Sequence, residues 1–303
     1  MLAYPPKMNR ASPLRLLLAA AALLGAAAGA WVVWLPDVGA LKSRPPKTTA
    51  YIELRKYQAA AKKKSLDLRW TFVPYGEISE NLKRAVVTAE DDEFWRHDGV
   101  DWNAIRAAYE RNRKAGRFAA GGSTITMQLA RNLYLSPSKN PLRKAKEILI
   151  ARRLEKQLGK VRILELYLNV VEWGQGVFGC EAAANVYFQK SCAELSPDES
   201  VALAVVLPNP RRWNPAKPGQ YVERNSRRIV ERMLAADRAR ALAAGVDEDS
   251  VIADLVDEAA AISTTTVTAP DSAAFELQSG STTVNSSTGS TPDENGRKPE
   301  RLE

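Results

Sequence analysis

A chain of 303 residues with a formal net charge of +8 gathers acidic side chains into one short stretch, 89–101: Glu90, Asp91, Asp92, Glu93, Asp98 and Asp101. Phe94, Trp95 and His97, the chain's only histidine, lie among them. Glu90 is the candidate for acid–base chemistry. Leu82, Ala85, Val86 and Ala89 recur at helical spacing, with Ser79 as N-cap and Gly99 beyond the end. At about 100° per residue, Glu90 falls about 80° from Leu82, at the edge of the apolar stripe. It also sits near the helix C-terminus, where the dipole disfavours a negative charge. Desolvation and the dipole both raise a carboxyl pKa, and a carboxylate so tuned suits a general base. An ordinary helix-end acid solvated at the surface fits the segment equally well.

Two further groups have chemical character. Gly121, Gly122, Ser123, Thr124, Ile125, Thr126, Met127 and Gln128 place paired glycines, hydroxyls and an amide at a helix start. Glycines permit close backbone approach to a ligand, and exposed N-terminal amides favour anions; a plain loop with an N-cap has the same composition. Residues 131–162 then carry ten basic residues against two acids. Arg143 and Lys144 lie four and three residues before Glu147, so the three share a helix face. A carboxylate in a cationic groove suits a diphosphate and a divalent metal. A salt-bridged, solvated helix is the plainer reading. Nucleic acid is disfavoured, because the groove lacks the interleaved aromatics of single-strand binding and the known fold motifs.

The elements that position these groups read as helical almost throughout. A short basic leader (1–15) precedes an uncharged run, 16–35, of about 30 Å as a helix, enough to cross a bilayer. Trp31 and Trp34 sit at its far end, where interfacial aromatics belong. The run is longer than a signal-peptide core and lacks a small-residue cleavage site, which favours an uncleaved anchor. The leader puts the N-terminus in the cytoplasm and the rest outside. A linker and a juxtamembrane helix ending in a lysine run follow (36–65), then an extended segment at 68–73. Helices are expected at 102–114, from Pro141 with Pro at N1, at 163–169, 181–188 and 197–207, the last apolar enough for the core, and at 221–236. The segment 172–179 reads as a glycine-rich turn. Cys180 and Cys192 face an oxidising compartment, but the helical run between them argues against a bridge, which needs Cα atoms within about 7 Å. Another helix reaches 262, and 263–303 reads as a disordered tail.

These boxes together resemble the peptidoglycan glycosyltransferases of the family 51 class, most of all the monofunctional biosynthetic type, over about residues 66–228. The first motif is met by Glu90, Asp91, Phe94, His97 and Gly99. The second is met by 121–128, the third by Arg143, Lys144 and Glu147. The fourth is met by Ile163, Leu164, Glu165, Tyr167, Leu168 and Asn169, the last by Leu207, Pro208, Asn209 and Pro210. Met127 stands where the family often has glutamine, and Arg131 where lysine is frequent. No Ser-x-x-Lys box follows.

The resemblance implies a mainly all-α, lysozyme-like helical domain (66–236) with a smaller membrane-contacting jaw at about 105–141, behind one transmembrane helix in the bacterial inner membrane. It implies lipid II and the growing glycan chain as substrates, and division or elongation proteins as partners. Glu90 is then the base, with Glu147 as second catalytic carboxylate, which either orients the neighbouring cations or holds a Mg²⁺ or Mn²⁺ against the diphosphate. Arg131, Arg143 and Lys144 meet the diphosphate, while Ser123, Thr124, Gln128 and Asn209 line the substrate pocket. Asp91, Phe94 and His97 support Glu90. The alternatives are a lytic enzyme on a lysozyme-like scaffold, which needs no cationic groove, and a membrane-anchored scaffold that binds cell-wall precursors without turnover.

Overall fold

The computed structural model describes residues 13–117, 121–138 and 140–245. The first helix, α1 (Pro13–Val33), is long and apolar enough to cross a membrane, and none of its span Leu14–Trp31 is buried by the rest of the chain. Leu16, Leu17, Leu23 and Leu24 point outward. So continuous a bare apolar surface calls for a non-aqueous surrounding. Its described part runs from Pro13 to Val33, against the expected 16–35.

After a 3-10 turn (Gly39–Lys42) comes α2 (Ala50–Ala61), whose first turn is capped by Thr49 accepting from the Ile52 amide. Then follow β1 (Arg69–Trp70), α3 (Glu80–Glu90), α4 (Trp102–Ala115), α5 (Ile125–Tyr134), α6 (Pro141–Gln157) and α7 (Lys160–Val170). The chain continues with β2 (Glu172–Gly174), β3 (Val177–Phe178), α8 (Cys180–Phe188), α9 (Pro197–Val206) and α10 (Gln220–Ala243). The expected all-α class holds. Residues 163–170 of α7 and 200–206 of α9 are buried without interruption. Both are core helices; α7 carries Glu165 and Asn169 inside with it, where they accept from the Tyr75 and Val73 amides. α3 packs on α9, α10 covers both, and α5 lies against α6 and α7.

Local chemistry sets the helix starts. Asp101, Thr124 and Asn140 each accept from an amide in the first turn of α4, α5 and α6, and Pro141 is at N1 as expected. Ser196 and Glu199 close a capping box on α9. Ser79 stands at the N-cap of α3 without bonding its amides; its hydroxyl donates to the Leu195 carbonyl instead.

Two expectations change. The segment 172–179 is a hairpin, β2 and β3, whose second strand also pairs in parallel with β1. Gly176 (φ +76°) makes the turn, where a Cβ would stand 2.4 Å from the Asp67 carbonyl oxygen. The 221–236 helix continues unbroken to Ala243, since no Gly or Pro stops it. Cys180 and Cys192 are both free and buried. Residues 1–12 of the leader, 246–262 of the expected C-terminal helix and the whole 263–303 tail lie outside the described residues.

Candidate active site

Glu90 is the last residue of α3. Its half-buried carboxylate accepts from Gln128 Nε2 at 2.6 Å, and Gln128 Oε1 in turn accepts from the Tyr167 hydroxyl at 3.2 Å. Tyr167 is fully buried, so a packed ring fixes the amide and the amide fixes the carboxylate. Burial raises the Glu90 pKa above the usual carboxylate range, the Gln128 bond and Arg131 pull it back, and Asp91 pushes it up. Desolvation wins, as the edge-of-stripe position requires.

Asp91 turns away from Glu90. It accepts from the Ile125 amide at 2.9 Å, tying the end of α3 to the start of α5, and from His97 Nε2 at 2.9 and 3.0 Å. The Gly99 amide donates to His97 Nδ1 at 3.0 Å, so Nε2 carries the ring proton. His97 therefore braces the loop. Phe94 is fully buried beneath it, edge-on to Trp95 and His97, with Lys160 Nζ 4.6 Å above its ring. Gly99 (φ +86°) leaves no room for a Cβ, which would lie 2.8 Å from Glu155 Cγ.

The cationic group is built on α6. Glu147 has no exposed surface, and its two oxygens are held by Arg143 and by Lys144, the latter at 2.6 Å. Lys144 Nζ also donates to Ser123 Oγ at 2.6 Å. That bond carries the third sequence box onto the second. Burial lowers the Lys144 pKa, Glu147 raises it, and Arg131 and Arg143 lower it. Arg131 thus lies in electrostatic range of both Lys144 and Glu90, and its Nε is buried without a hydrogen-bond partner. Arg143 and Lys144 share one carboxylate with Arg131 in range of Lys144, an excess of positive charge that an incoming anion would relieve.

A cleft of about 680 Å³ is lined by Glu90, Asp91, Gly121, Gly122, Ser123 and Thr124, with Asn103, Arg111 and Arg232 among the others. Gln128, Arg131, Arg143, Lys144 and Glu147 do not line it; the Lys144–Ser123 bond is the cation group's link to its wall. Thr124 borders the cleft, but its hydroxyl is engaged by the Met127 amide and the Gly99 carbonyl. Asn209 is not among the lining residues; it is exposed in the turn after α9.

The geometry does not fit Glu147 as a metal ligand. Each of its oxygens already meets a cation that would repel a divalent ion, and among the described residues no group of three His, Cys, Asp or Glu converges. Tyr51 on α2, in electrostatic range of Arg131, Arg143 and Glu147, and the Gln128-bound Tyr167 are site neighbours that sequence reasoning passed over. For Tyr167 the signal was its place in the fourth box; Tyr51 offered none.

A mainly helical domain behind a helix long and apolar enough to cross a bilayer holds a desolvated carboxylate in a cleft and, linked to its wall through Ser123, a cluster of cations, a combination that suits transfer of a sugar from a diphosphate. The sequence model of the Transglycosylase family matches residues 58–234. The chain is 52% identical over 191 residues to a "Biosynthetic peptidoglycan transglycosylase" of Aromatoleum aromaticum, covering 63% of this chain and 83% of that one. It is 50% identical over 200 residues to a protein of the same name from Azoarcus sp., covering 66% and 85%. A third such protein, from Dechloromonas aromatica, is 46% identical over 192 residues, covering 63% and 83%. The chain belongs to the transglycosylase family and is a glycosyltransferase.

Proposed function

We propose that the protein polymerises lipid II into glycan strands at the outer face of the bacterial inner membrane, N-terminus inside. Arg131 carries the reading: it stands in range of both Glu90 and Lys144, so proton removal and leaving-group charge fall within one field. Glu90 takes the proton from the 4-hydroxyl of the acceptor N-acetylglucosamine. The oxygen attacks C1 of the donor N-acetylmuramic acid opposite the diphosphate, and the α-linked donor becomes a β-1,4 link, as in inverting sugar chemistry. The leaving undecaprenyl diphosphate needs no proton. Arg131, Arg143 and Lys144 meet its charge, and preformed cations do this without reorganisation. Glu147 orients two of them, and no step passes through a metal. Ser123 and Gln128 line the donor side; Asp91, Phe94 and His97 hold the loop. Residues 105–141 form the membrane-contacting jaw.

Labelled lipid II tests the reading. Chain growth with release of polyprenyl diphosphate is expected. Anhydro-muropeptides released from finished wall would mark a lytic enzyme, and binding without turnover a scaffold.

A further inference from the structure

Lys146 lies between Arg143, Lys144 and Glu147 in sequence but faces another way, about 100° from Glu147 around α6. Its side chain is 7% exposed. It makes no ion pair among the described residues with a carboxylate; Nζ instead donates to the Trp31 carbonyl at 2.8 Å. It stands 4.1 Å from the centre of the Trp31 ring and 5.9 Å from that of Trp34. α1 packs on α6 along the same contact. A cation at the C-terminal end of the anchor satisfies one of its orphan carbonyls and meets the negative end of its dipole. Two indole faces add cation–π attraction.

We propose that Lys146 is a positioning residue that locks the cation-bearing face of α6 to the membrane anchor at the depth of the lipid headgroups. Interfacial tryptophans set the height of a spanning helix. Lys144 and Glu147 are one or two residues from Lys146, within about 3 Å along the helix axis. The diphosphate of a polyprenyl carrier lies at the headgroup level, because its tail stays in the bilayer. The lock therefore brings Arg143 and Lys144 to that level without lifting the lipid out. This role rests on the polymerase reading.

The test uses the full-length protein in phosphatidylethanolamine–phosphatidylglycerol vesicles, with lipid II or with a short-chain, water-soluble analogue. Lys146→Gln should raise KM for bilayer lipid II about tenfold, the worth of a charge-assisted bond. It should leave kcat within about twofold and KM for the soluble analogue unchanged. Lys146→Arg should restore most of the loss. Equal losses on both substrates, or none, would overturn the proposal. Amine acetylation supplies a readout free of activity. Lys146 should react several-fold slower than the exposed Lys62, Lys63 and Lys64, and Trp31→Leu with Trp34→Leu should remove that protection. Equal reactivity in the unaltered protein refutes the contact. A protected Lys146 in a protein that makes no glycan leaves the contact standing and overturns the polymerase reading, and the lock's role with it.

Discussion

Glu90 works only when ionised, so turnover rises as pH climbs through its pKa, which burial has raised. The Gln128 bond lowers that pKa, so in Gln128→Ala the acid limb of the kcat/KM profile should move to higher pH; an unmoved limb would contradict the account. Stability has the opposite sense. A carboxyl whose folded pKa exceeds its unfolded value stabilises the fold below the unfolded pKa, and that contribution is lost as pH rises through the folded one. At neutral pH ionised Glu90 is a cost, so Glu90→Gln should hold or raise Tm in calorimetry, and a large fall would speak against a desolvated carboxylate. Glu147→Gln is the reverse case. It strands Arg143 and Lys144 and should lower unfolding stability by about 2–3 kcal/mol in urea titrations, below the about 3–5 of a dry pair because Lys144 is 36% exposed. A neutral result would mean that the pair is not buried as described. The identities of these residues were legible because helical spacing and i,i+3 or i,i+4 pairing are local. What held Glu90 was not: Gln128 and Tyr167 lie 38 residues and more away, and only packing brings them there.

At the scale of elements, the cleft depends on α4 pressing against the start of α5. A Cβ on Gly122 would stand 2.8 Å from Ile105 Cα, whereas one on Gly121 would meet nothing within 4 Å. Gly122→Ala should therefore lower both Tm and turnover while Gly121→Ala changes neither appreciably, in parallel thermal melts and polymerisation assays; the same response from both would refute the close approach. α10 is tied to this region as well, through Arg232–Asp92 and Arg84–Asp237. Nearly every helix could be read from the sequence, because periodicity and caps are local signals. The hairpin at 172–178 could not. Its strands have three residues and two, too few to show alternation, and its partner β1 lies about a hundred residues upstream, a pairing no window detects. The end of α10 was misplaced although Gly245 (φ +81°), just past the Ala244 cap, marks it; the weak apolar stripe beyond 236 hid the continuation, not the stop.

At the scale of the whole molecule, the catalytic domain follows one helix long and apolar enough to cross a bilayer. Full-length protein should sediment with membranes and resist extraction by high salt or alkaline carbonate, yielding only to detergent; release by salt would mean electrostatic adhesion in place of a span. The anchor was visible in the sequence as an uncharged run, and the family through five boxes. The docking of the anchor on α6 was not visible, because Lys146 looks like any other lysine of a basic helix until Trp31 stands beside it. Catalysis turns on Glu90 in the cleft and on the cations joined to its wall through Ser123. The most direct measurement is the rate of glycan-strand formation from labelled lipid II by full-length protein and by folded Glu90→Gln. A loss of at least about a hundredfold is predicted, the usual worth of a general base, and strand formation by the variant at near the unaltered rate would contradict it.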